Sequence, residues 1–116
     1  MGTVHVKWLN WVVVLRPTTD RLCDIEADDL QAAFDSACTE SYQGIVFNLA
    51  AVRSMNEVAF GVLLHCFDLA RKTHTKMAVC CLTPDILRTV TTTGLTSGKR
   101  SRFITEAEAV RYCSER

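Results

Sequence analysis

Nowhere does the sequence reach the ~20 consecutive apolar residues that a membrane-spanning helix needs, and the run from Trp11 to Leu15 is too short for a secretory core segment. Membrane insertion is therefore not expected, and a cytoplasmic location is. The chain also lacks an excess of either charge, because thirteen Lys and Arg balance thirteen Asp and Glu. No net field draws it toward a phosphate backbone, so nucleic acid is not an expected partner. A glycine-rich phosphate loop is missing too. Gly94-Leu95-Thr96-Ser97-Gly98-Lys99 has only the first half of such a pattern and does not open a helix after a strand. The three histidines, His5, His65 and His74, are far apart and form no His-x-x-x-His pair, so no metal and no cofactor are implied. No export signal precedes the six cysteines, which follow an ordinary hydrophobic pattern and read as reduced thiols. Cys80 and Cys81 fall in a predicted strand, where neighbouring side chains point to opposite faces, and this disfavours a shared metal. No cysteine can be paired by motif with a base and an orienting group, so an enzyme is not expected and no catalytic residue is assigned.

What is present suits a single folded unit. The 116 residues fit one core and leave no room for a second, and the 48% hydrophobic content supplies enough apolar area to offset ordering entropy. Val4, Val6 and Trp8 alternate with His5 and Lys7 as in a half-buried strand. Trp11 to Leu15 is continuous and β-branched, as in a strand covered on both faces. The two make a hairpin that Pro17 closes, since proline cannot donate to the ladder. Asp24 is placed to cap a first helix, with Leu30, Phe34, Ala37 and Cys38 on one stripe and an end near Tyr42-Gln43-Gly44. Gly44 to Leu49 reads as the central strand and Asn56 to Lys72 as a second helix.

Lys76 to Leu82 gives another strand, and Thr83-Pro84-Asp85 is a strong helix start, with Gly94 as its stop. Arg102 to Ile104 is a short last strand, and Thr105 to Glu108 reads as a capping box opening a final helix. The loop between Gly94 and Arg102, with Lys99 and Arg100, is expected to move. Alternating strands and helices favour an α/β architecture with a mainly parallel sheet.

The stretch from Gly44 to Leu64 resembles the central strand, loop and second helix of the STAS family. Members usually show an apolar strand ending in Asp-Leu, a short loop, then Asp-Ser-Ser-Gly-Leu and an apolar helix. Here the strand ends in Asn48-Leu49, and Asn56, Glu57, Val58 and Ala59 stand at the Asp, the two serines and the glycine. Asp20 after the second strand, Leu82-Thr83-Pro84, and Thr93-Gly94-Leu95 add to the likeness.

The resemblance implies one STAS domain over residues 1–116, a mixed, mainly parallel sheet of four to five strands with about four helices packed on it. It also implies the role of an anti-sigma-factor antagonist in a partner-switching pathway, a form of signal transduction and transcription regulation by protein-protein interaction. In that branch the partner is an anti-sigma factor or related serine kinase, which phosphorylates the serine after the Asp and so breaks the complex. Partner contacts are expected at Asp20, Arg53, Met55, Asn56, Glu57 and Val58.

Glu57 occupies the phosphorylation position and cannot accept phosphate. Three readings stay open for it. It is a permanent partial mimic of phosphoserine, with about −1 charge instead of −1.5 to −2. Or it marks a non-switching scaffold of a stress-signalling complex or a cytosolic subunit of a lipid or anion transporter. Or it is simply a carboxylate that the helix dipole favours by about 0.3–1 kcal/mol. Asn56 serves as an N-cap as well as Asp does, and Ser54 and the run Thr91-Thr92-Thr93 are the other hydroxyls open to phosphate. Phe60, Val62, Leu63, Leu64, Cys66, Phe67 and Leu69 span more than one stripe of the second helix, most of them core. An apolar excess on its outer side marks a homodimer or partner surface.

Overall fold

The computed structural model describes residues 4–39, 43–93 and 102–115. The chain begins as a hairpin, β1 (Val4–Leu9) and β2 (Val12–Pro17), antiparallel and joined through Asn10 in the left-handed conformation (φ 58°) that asparagine tolerates. β3 (Arg21–Leu22) and α1 (Asp24–Cys38) follow, then β4 (Gly44–Asn48), β5 (Ser54–Met55) and α2 (Glu57–Lys72). The chain ends with β6 (Lys76–Cys80), α3 (Pro84–Thr93), β7 (Arg102–Phe103) and α4 (Glu106–Ser114). The five-stranded sheet has the order β1-β2-β4-β6-β7, and every pair after the hairpin is parallel.

Alternate residues of each strand feed two different cores. Val13, Leu15, Ile45, Phe47, Met77 and Val79 face α1 and α2, where Leu30, Phe34, Leu63 and Cys66 meet them. Val12, Val14, Val46 and Ala78 point the other way, onto Ala109 and Cys113 of α4. A strand sandwiched in this manner is apolar along most of its length. This is why β2 and β4 read as continuous runs in the sequence and are buried along almost their whole length.

Several local expectations shift. The α1 cap is Cys23, not Asp24, which is the helix's first residue, and the Glu26 carboxylate accepts from the Cys23 N–H at 3.2 Å. α1 ends at Cys38, which is exposed, so only Leu30, Phe34 and Ala37 of the predicted stripe are buried. The predicted end at Tyr42 and the Gly94 stop lie outside the described residues, as do the side chains of Thr91, Thr92 and Thr93. Val6 and Trp8 project on the α1 face but stay 43% and 40% exposed, because β1 is the sheet edge and the helix covers only part of it. Lys7, predicted to face water, instead lies on the α4 side and pairs with Glu106 at 2.7 Å. The Thr83 hydroxyl donates to the Val52 carbonyl at 2.8 Å, which fixes the start of α3 to the loop after β4.

β6 also ends before its expected limit. Cys81 takes a left-handed φ of 60°, which breaks the strand and brings the Cys80 and Cys81 sulfurs to the same side, 3.6 Å apart. The alternation assumed for this pair does not hold. No disulfide joins any of the six cysteines. Among the described residues no group of three or more His, Cys, Asp or Glu is placed to hold a metal, and no helix is long and apolar enough to cross a membrane.

Candidate functional site

The candidate site is the turn between β4 and α2, and a second, two-stranded sheet builds it. β3 and β5 pair in parallel, Arg21 with Ser54 and Leu22 with Met55. The Asp20 carbonyl accepts from both Arg53 N–H (2.8 Å) and Ser54 N–H (3.1 Å), and the Leu22 carbonyl accepts from Asn56 N–H (3.1 Å). Leu22 and Val52 are fully buried and anchor the two segments in the main core. These bonds hold Asp20, Arg53, Ser54, Met55 and Asn56 in one compact platform, and α2 leaves from its edge.

Asn56 is the N-cap of α2. Its side-chain oxygen accepts from Ala59 N–H at 3.0 Å, and its amide nitrogen donates to the Asp24 carboxylate at 2.7 Å. The two partners together fix which way the amide points, since only a nitrogen can face a carboxylate and only an oxygen can face the helix N–H. Asp24 thus joins the site from α1, a link that sequence spacing does not reveal because the two residues lie 32 positions apart.

Glu57 opens the first turn of α2 and is exposed, as are Asp20, Arg53, Ser54 and Val58, whereas Met55 and Asn56 are half-buried. Ala59 is fully buried beneath them. On the outer side of α2, Val58 and Leu64 stay 49% and 44% exposed, while Phe60, Val62, Phe67 and Leu69 lean half-buried against the core. Of the expected contact residues, Asp20, Arg53, Met55 and Asn56 lie on this platform, and Glu57 and Val58 lie beside it in the first turn of α2.

A second polar cluster supports the end of β4. Asn48, a buried polar residue of the sheet, accepts from Ala50 N–H (3.0 Å) and donates to Glu106 (3.0 Å), which in turn binds Lys7. The Lys7 ammonium, and after it the Asn48 amide, hold the Glu106 carboxyl below its ordinary 4.5, against the opposing effect of partial burial. The sequence reading did not single out Glu106 or Lys7.

The arrangement offers a rigid surface of mixed charge, with a carboxylate at a helix N-terminus where unpaired N–H groups and the dipole favour an anion. No curated protein matches the sequence. Among solved structures, an anti-sigma factor antagonist from Mycobacterium paratuberculosis superposes with a TM-score of 0.82 at 21% identity, covering 97% of this chain and 94% of the other. A Thermotoga maritima protein described as an anti-sigma factor antagonist gives 0.84 at 20% identity, with 97% and 95% covered. A serine-to-glutamate variant of RsbS from Moorella thermoacetica gives 0.79 at 15% identity, with 97% and 95% covered. At these identities the likeness establishes the fold. The family model of the STAS domain matches residues 6–108, and the chain belongs to that family.

Proposed function

We propose that the chain is a regulatory protein-binding module of the anti-sigma-factor antagonist type, not an enzyme, that docks its partner through the platform of Asp20, Arg53, Met55 and Asn56 and the adjoining Glu57 and Val58. The partner is an anti-sigma factor or related serine kinase. The observation that carries the reading is the exposure of Glu57 at the start of a helix whose cap is tethered on both sides. A residue in that position presents its charge to whatever docks there and cannot withdraw it by refolding. Glu57 supplies a fixed charge of about −1 where a phosphorylated serine would switch between none and about −2. The affinity for the partner is then set by sequence and does not respond to the kinase.

The test has two arms. Incubation with the cognate kinase and ATP, followed by mapping of phosphate by mass spectrometry, is expected to leave Ser54 to Val58 unmodified. Glu57→Ser is expected to become labelled within that segment and to respond to ATP in partner binding. Phosphate on the segment in the unaltered chain overturns the fixed-charge reading. Absence of labelling in Glu57→Ser, with unchanged partner binding, reduces Glu57 to a favourable helix-terminal charge.

A further inference from the structure

Cys80 and Cys81 end β6 in a geometry that a regular strand does not produce. Adjacent residues of a strand project to opposite faces, yet these two sulfurs are 3.6 Å apart because Cys81 has a left-handed φ of 60°. A non-glycine residue is uncommon there, and such positions concentrate where a local chemistry uses them. The pair differs in access. Cys80 is fully buried and Cys81 is half-buried, on the wall of an open cavity of about 300 Å³ that Leu82, Leu87, Arg102, Phe103 and Ile104 complete. Cys81 therefore borders a space open to small solutes, and the Cys80 sulfur lies 3.6 Å from its own. Burial pushes Cys66 and Cys113 up to about 12 and holds the Cys80 thiol above its ordinary value too, which disfavours the reactive thiolate at all three. What sets Cys80 apart is the closeness of its sulfur to that of the more accessible Cys81.

We propose that Cys80 and Cys81 are a modification site, at which hydrogen peroxide entering the cavity converts the two thiols to a disulfide between neighbours in the chain, reversibly by thiol reductants. The Cys81 sulfur, as thiolate, attacks a peroxide oxygen, the O–O bond breaks, and the departing hydroxide takes up the proton that Cys81 released, giving water and a sulfenic acid. The Cys80 sulfur then attacks the Cys81 sulfur. The S–S bond forms, the S–O bond breaks, and the leaving hydroxide carries off the Cys80 proton as a second water. The sulfurs lose two electrons in total and hydrogen peroxide gains them. The site lies between two bonds that hold the loop after β4, Leu49 N–H to the Cys80 carbonyl (3.1 Å) and the Thr83 hydroxyl to the Val52 carbonyl.

The experiment uses the full chain bearing Cys38→Ser, which removes the exposed thiol able to link two molecules. After reduction and exposure to a slight excess of hydrogen peroxide, the intact mass should fall by two hydrogens. The peptide holding Cys80 and Cys81 should then resist alkylation in denaturant until dithiothreitol is added. Adding Cys81→Ser, a small change at the half-buried position on the edge of the second core, should abolish that loss. Phenylarsine oxide, which needs two neighbouring thiols and loses water as it bridges them, provides an oxidant-free probe. One arsenic should bind per reduced chain, and none to the Cys81→Ser variant. Oxidation of Cys81 alone to sulfinic acid with Cys80 still open to alkylation, or equal arsenical binding with and without Cys81, overturns the proposal.

Discussion

At the scale of single residues, Asn48 and Asn56, which stand where the resembled STAS motif has aspartate, share one kind of neighbour. Asn56 faces Asp24 at 2.7 Å and Asn48 faces Glu106 at 3.0 Å, so each stands beside a carboxylate supplied by another element. An aspartate at either place would set two negative charges in contact, whereas the amide turns a repulsion into a hydrogen bond. Asn56→Asp should therefore destabilise the chain at neutral pH even though Asp is an equally good cap, and recover stability as acid protonates one of the pair. Asn56→Ala loses the cap as well and should cost about 0.5–2 kcal/mol, read from urea midpoints. If Asn56→Asp proves neutral, Asp24 is not the reason for the asparagine.

Glu106 gives a pH dependence whose sign follows from its depressed carboxyl. Because its folded-state value lies below 4.5, its contribution to stability is fully present above that pH and fades as pH falls through the folded value. Chemical denaturation from neutral to acid pH should show the unaltered chain losing stability on the acid side, and Glu106→Gln losing less. An identical acid slope in both would assign the loss to other carboxylates.

At the scale of elements, the two described glycines make opposite predictions. Gly44 starts β4 against α4, and a Cβ there would stand 2.5 Å from the Cys113 Cβ, 3.0 Å from its sulfur and 3.1 Å from the Lys76 carbonyl. Since backbone and a helix Cβ cannot move aside cheaply, Gly44→Ala should destabilise by about 1–3 kcal/mol. Gly61 lies in α2, and a Cβ there meets nothing within 4 Å. Gly61→Ala should stabilise by about 0.5–1 kcal/mol, the cost of glycine in a helix interior. Thermal melts of both variants decide the matter, and a stabilising Gly44→Ala would mean that α4 packs less tightly than the structure has it.

The elements themselves were legible wherever a period of two or 3.6 runs long enough to register. The doubly buried strands β2 and β4, helix α2 with its Asn56 cap and the Thr105 start of α4 all came from such runs, and Thr105 does accept from Glu108 N–H at 3.2 Å. Elements of two residues have no period to read. β7 is legible all the same, because the Thr105 helix start follows it directly, whereas β3 and β5 carry no such mark, although they build the platform beneath Arg53 to Asn56. The break at Cys81 was equally invisible, because the sequence around it continues as a strand would and only backbone geometry exposes the turn.

At the scale of the whole molecule, the sheet is common property of two cores. The α1 and α2 side is large and positions the candidate site, while the other side rests on one short helix, α4, through Ala109 and Cys113. Val12, Val14 and Val46 are all 1% exposed or less beneath it. Uncovering a valine fully costs about 1.5–3 kcal/mol, so three together approach the ~5–15 kcal/mol that holds a whole domain folded. Removal of residues 105–116 should therefore abolish a cooperative melt and raise dye binding to exposed apolar surface, although no residue of the platform is touched. Leu64→Ala and Val58→Ala, on the outer side of α2, should shift stability by no more than about 0.5 kcal/mol, because those side chains are already half in water. A truncated chain that still melts cooperatively would show that the α1 and α2 side folds alone, and that α4 is an accessory and not the second wall of the sheet.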